Sequence, residues 1–153
     1  MEGFDNLQQV DIAQRLAEHR SMLSEQLLGA LKATFFSNRP SVLPAHLPDI
    51  VAETVDLYLA FVKGEQELMD IQQHGEQLAE RGVGSQAVHR IGNVLRRHCI
   101  ESFEAILMRS SLKMTEAFAE SLLEGFFAGH EAKVLEEQER IRGALQEVVN
   151  RYT

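Results

Sequence analysis

Six histidines and a single cysteine are the side chains of this sequence with the richest chemistry, and their spacing limits what that chemistry can be. A carboxylate-bridged di-iron centre in a helical bundle uses Glu-x-x-His pairs, because three residues of helix turn both ligands to one side. None of His19, His46, His74, His89, His98 and His130 has a glutamate three positions before it. His98 and Glu101 have the reverse order, which alone binds nothing, and they read as a partly exposed polar pair. His89 and His98 are nine residues apart in the chain. At about 100° per residue they face opposite sides of a helix and cannot share an ion. No metal is expected, and none should be needed for folding.

Haem needs a histidine that faces an apolar pocket. His98 comes nearest, bordering Ile91, Leu95 and Ser102, with Arg96 and Arg97 placed to meet propionates. A histidine on the edge of a core face is more often satisfied by a neighbouring group, so no haem or other cofactor is expected. Cys99 reads as a buried structural thiol despite the nearby arginines. Ser102, Ser110 and Ser121 lie in no nucleophile elbow, and no glycine cluster opens a helix in a phosphate-binding pattern. Gly82 and Gly84 serve as helix connectors. The expectation is a protein without catalytic residues, hence not an enzyme.

The elements that carry these residues are all helical. Pro40, Pro44 and Pro48 fall in one short stretch, the main loop. Before it, Ile12, Leu16, Leu23, Leu27, Leu31 and Phe35 recur mostly at four-residue steps and predict one long helix, or two collinear ones, ending near Ser37. Arg20 stands where an apolar residue is due, and a kink is expected there. After the loop, Pro48 suits a first helical turn, Ile50, Val51, Val55, Tyr58, Leu59 and Val62 form a buried stripe, and Lys63-Gly64 ends the helix. A short helix from about Glu67 to Arg81 has Leu68, Ile71 and Leu78 as its apolar face. Gly82 to Ser85 then interrupts, with Ser85 as N-cap.

The next helix, from about Gln86 to Met108, sets Val88, Ile91, Leu95, Cys99 and Ile106 on one side and Ile100, Phe103 and Leu107 a quarter turn away. Burial on more than one face would make it the central helix. Arg90, Arg96 and Arg97 read as a solvated or salt-bridged face. Ser110 and Ser111 offer the next cap, followed by Leu112, Thr115, Ala119, Leu122, Leu123 and Phe126 at helical spacing. Phe35, Phe36, Phe103, Phe118, Phe126 and Phe127 read as core.

The closing segment is of another kind. Val134, Gln138, Ile141, Leu145, Val148 and Tyr152 step by four and three, a heptad seam with one polar insertion amid Glu, Arg and Gln. A helix unbroken from Ser111 would be on the order of 60 Å long and would project beyond a domain of this size. Gly125, Gly129 and Gly143 weaken it, and a bend near Gly129 is expected. The division is a body of residues 1–130 and a signalling or coiled-coil helix of residues 131–153.

At 153 residues and 44% hydrophobic composition the chain has the makings of one globular domain. Its net charge of −8 argues against nucleic acid and anionic lipid, whose phosphates it would repel. No apolar run approaches a membrane span. The N-terminus lacks the basic and apolar regions of a secretory signal. A lone cysteine, unable to form an intramolecular disulfide, points to a reducing compartment and so to the cytoplasm.

The order of elements resembles the N-terminal domain of RsbR-type stressosome proteins, a globin fold without haem. The likeness is greatest in AERGVGSQAVHRIGNVLRRHCIESFEAIL, a short helix ending at a glycine turn and leading to a helix with Arg-Arg in its middle. The closing EEQERIRGALQEVVNRYT is similar to the helix that joins the sensor to a STAS domain in that family. The resemblance implies an all-α, globin-like sensory domain cut from a longer protein. It also implies a homodimer without enzymatic activity, whose terminal helices convey a signal to a downstream output domain or to stressosome-type partner proteins. The phosphorylated threonines of that family belong to the output region, so no functional residue transfers. The competing readings are a haem-binding sensor globin and a structural helical adaptor.

Overall fold

The computed structural model describes residues 2–35 and 44–153, with side chains for residues 6–34 and 44–153. The expected helix end near Ser37, the loop proline Pro40 and the core assignments of Phe35 and Phe36 lie outside the described side chains. The fold is all-α: α1 (Glu2–Glu18), α2 (Arg20–Phe35), a 3₁₀ turn (Pro44–His46), α3 (Leu47–Lys63), α4 (Leu68–Glu80), α5 (Ser85–Ser102) and the long α6 (Ala105–Tyr152). No strand occurs among the described residues.

The expected kink near Arg20 is a break at His19, between α1 and α2. Ile12, Leu16, Leu23, Leu27 and Leu31 are buried on both sides of it. Arg20, set where an apolar side chain would continue the stripe, instead pairs with Asp56 of α3. All six residues of the predicted α3 stripe are buried, and Gly64 ends that helix in the left-handed conformation at φ 84°. A β-carbon there would be strained, which is why glycine follows Lys63.

Several local expectations are corrected. Leu68 opens α4 and stays exposed at the surface. Gly84, not Ser85, is the N-cap of α5, and Ser85 is its first helical residue. The helix expected to reach Met108 stops at Ser102. Phe103 and Glu104 are extended, with Phe103 buried and Ala105 at φ 50°, and the chain restarts as α6. That turn resets the helical phase, so Ile106 is exposed where continuous spacing would bury it, while Ile100, still within α5, lies on the exposed side of that helix. Ser110 and Ser111 accordingly lie inside α6 and cap nothing. Ser110 donates to Gln8 Oε1 at 3.0 Å, and Ser111 donates to the Met108 carbonyl.

The core gathers around the first half of α6, whose Thr115, Phe118, Ala119, Leu122 and Phe126 are buried among α1, α3, α4 and α5. α6, and not α5, is therefore the central helix. α6 runs unbroken through Gly129, the position of the expected bend. Its glycines have a different task. A β-carbon at Gly125 would lie 1.9 Å from the Gln72 carbonyl oxygen, and one at Gly75 would lie 2.2 Å from that of Leu122. Gly75 and Gly125, with Gly129 a turn further on, let the backbones of α4 and α6 touch.

Beyond the body, α6 continues in the open. Every residue from Glu131 to Thr153 is exposed. At 1.5 Å per residue, the 48 residues of α6 span roughly 72 Å.

Candidate functional site

Polar groups with chemistry of their own are found first in the interior. His19, at the break between α1 and α2, meets His98 of α5, with Nδ1 and Nε2 sharing a hydrogen bond of 3.0 Å and the rings edge to face. Ser102 Oγ lies 3.2 Å from the same His98 nitrogen. His98 is thus buried, at 2% exposure, and not half of an exposed pair with Glu101. Burial, with His19 beside it, holds its pKa below the usual histidine value. His74 of α4 is buried against Thr54 of α3, 2.9 Å from its hydroxyl, and its pKa is lowered mainly by the same loss of water.

Deeper in the body, Tyr58 of α3, Cys99 of α5 and Thr115 of α6 close a triangle. Tyr58 Oη lies 2.8 Å from Thr115 Oγ1 and 3.5 Å from Cys99 Sγ, and Cys99 Sγ lies 3.3 Å from Thr115 Oγ1. Burial raises the pKa of the phenol well above its ordinary value, so it remains a neutral partner. Cys99 is buried, as a structural thiol would be. No buried side-chain nitrogen or oxygen among the described residues lacks a hydrogen-bond partner. Each of these groups is spent on another helix, an arrangement that fixes how α3, α4, α5 and α6 sit together.

No group of three or more His, Cys, Asp or Glu among the described residues is arranged to hold a metal ion. His89 and His130 are exposed on separate helices, and His130 stacks on Phe126. Of the three arginines of α5, Arg96 pairs with Glu116, while Arg90 and Arg97 are exposed. An open groove of about 660 Å³ runs along α1, with Gln9, Val10, Ala13 and Ala17 along its wall and Lys63 at its edge. No described helix is long and apolar enough to cross a membrane.

The predicted seam lies along the exposed half of α6. Val134, Ile141, Leu145, Val148 and Tyr152 are 41 to 88% exposed, and Gln138 is exposed among them. Leu135 and Val149 widen the stripe on one side. Phe127, read as core from its spacing, is half exposed and belongs to this same surface. An apolar band of this length in water has an energetic cost, and a helix with heptad spacing removes it by pairing. The contact of His19 with His98 joins residues far apart in the chain, and no spacing could have revealed it. The Gly125-x-x-x-Gly129 pattern did carry a signal, since small residues one turn apart permit close helix packing.

Compared with known proteins, the chain matches no family model, no curated protein and no solved structure.

Proposed function

We propose that this chain is a non-enzymatic sensory and signal-relay domain of a cytoplasmic stress regulator of the RsbR type. In this proposal it is a non-haem, globin-like body that pairs with a second copy through its C-terminal helix and passes a change of packing along that helix to an output domain. The observation that carries the proposal is the continuity of α6. One unbroken helix supplies the centre of the core, through Thr115, Phe118, Leu122 and Phe126, and then the exposed seam, through Ile141, Leu145 and Val148. A helix is stiff along its axis, so a rotation or shift imposed on its buried half is felt at its exposed half. The resemblance to the stressosome sensors supports the choice of output and compartment. The haem-sensor alternative is disfavoured by His98, whose Nε2 is already engaged by His19 and Ser102.

The test is whether the two halves of α6 are coupled. Gly75→Ala forces α4 away from the buried half without touching the seam. Amide hydrogen exchange at residues 134–150, measured at equal protein concentration in wild type and variant, should change several-fold. Identical exchange there, with the variant still folded, would defeat the relay.

A further inference from the structure

The exposed stripe has a chemistry that distinguishes one way of pairing from another. In heptad terms Val134, Ile141 and Val148 form one line of core positions, and Gln138, Leu145 and Tyr152 form the other. Glu137 and Arg142 flank them on opposite sides of the seam. From the exposure of these residues and the order of their charges, we infer that two copies of α6 pair in parallel and in register, over Val134 to Tyr152. This rests on the dimeric relay proposed above and specifies its geometry.

Three features carry it. In a parallel, in-register pair, Gln138 meets Gln138 of the second copy, and each amide has both a donor and an acceptor for the other. Antiparallel pairing over the same stretch would set Gln138 against Val148, leaving the amide facing hydrocarbon. Secondly, a flanking residue of one helix meets the residue five positions on in a parallel partner. Glu137 then lies beside Arg142 of the second copy, twice by symmetry. The antiparallel alignment brings Arg142 against Arg142, offset in part by Glu137 reaching the Arg151 of the second copy. Thirdly, the body does not obstruct the parallel pair. Gly125 and Gly129 face α4, and Val134 lies about 140° around the helix from Gly129, so the seam is turned away from that contact.

Glu131 marks where the pair begins. It holds the core position between Phe127 and Val134, and in a parallel dimer it meets its own copy, like charge against like charge. Phe127 is therefore left outside the pair. In an antiparallel dimer aligned over residues 134–152, Glu131 lies outside the paired stretch and does not meet its own copy.

The experiment uses the whole chain. Under oxidising conditions Tyr152→Cys should cross-link to itself in the dimer, because parallel helices set these positions side by side. An equimolar mixture of Val134→Cys and Tyr152→Cys should give no Val134-to-Tyr152 link. Glu131→Leu should lower the dimer dissociation constant roughly tenfold by adding an apolar layer. Glu137→Arg and Arg142→Glu should each weaken the dimer, and the double variant should recover it. A dimer that links position 134 to position 152 and ignores Glu131→Leu overturns the parallel inference and leaves the relay's pairing standing. Wild type found as a monomer at every concentration defeats the pairing itself, and with it both proposals.

Discussion

Replacing Gly125 by alanine tests whether the body is held by direct backbone contact between α4 and α6. Alanine is the better helix former, worth up to about 1 kcal/mol in an exposed helix interior, so propensity alone predicts stabilisation. The structure predicts the opposite. The added β-carbon would stand 1.9 Å from the Gln72 oxygen and within 2.7 Å of two further backbone atoms of Gln72, none of which can rotate away. Ordinary contact requires at least 3.4 Å, so the helices must separate by more than an ångström. That separation loosens Ile71 and Leu78 of α4 against Leu122 and Phe126 of α6, all buried. Overpacking of this kind costs about 1–3 kcal/mol, and the upper end applies where both sides are backbone, leaving a net loss near 2 kcal/mol after the propensity gain. Gly29→Ala is the control, since nothing lies within 4 Å of a β-carbon there, and it should stabilise by about 0.5–1 kcal/mol. Urea denaturation followed by circular dichroism at one fixed protein concentration gives both values. A Gly125→Ala variant as stable as wild type would refute the helix crossing.

Tyr58→Phe should cost about 1 kcal/mol, measured in the same denaturation assay, because Thr115 and Cys99 still bond each other when the phenol is gone. The depressed pKa values of His74 and His98 mean that below about pH 6.5 the unfolded chain binds more protons than the folded one. Their contribution to stability is therefore complete above that pH and is lost as pH falls through the folded values. Melting temperatures between pH 7.5 and 5.0 should decline, and decline less steeply in His74→Gln. Protein purified with haem supplied should show no stoichiometric Soret band, and a band that disappears in His98→Ala would contradict this.

Much of the fold was legible because burial leaves a periodic trace. Ile12 to Leu31 and Ile50 to Val62 lie on the buried faces that their spacing requires. The turn at Phe103 was not legible, for it contains neither proline nor glycine and is held by burial of the Phe103 ring, a tertiary effect. Once that turn is missed, the phase of α5 is carried past Ser102 and Ile106 is misassigned. Phe127 failed for a related reason, since hydrophobic spacing on a long helix does not say which stripe faces its own domain and which faces water. The seam residues were found by the same periodicity, and their exposure required the structure. The polar interior was invisible, because His19 and His98, or Tyr58 and Thr115, are brought together only by the packing of separate helices.

The pairing of two copies through the exposed half of α6 is the claim on which the functional account depends, and sedimentation equilibrium of wild type and Leu145→Asp tests it directly. Burying one leucine side chain is worth about 1.5–3 kcal/mol, and the dimer buries two of them, one from each copy. Wild type should sediment as a dimer at micromolar concentrations. Leu145→Asp should shift to monomer with its helical content unchanged, because Leu145 touches nothing in its own body. A wild-type monomer at high micromolar concentration, or a Leu145→Asp variant that stays dimeric, would contradict the account.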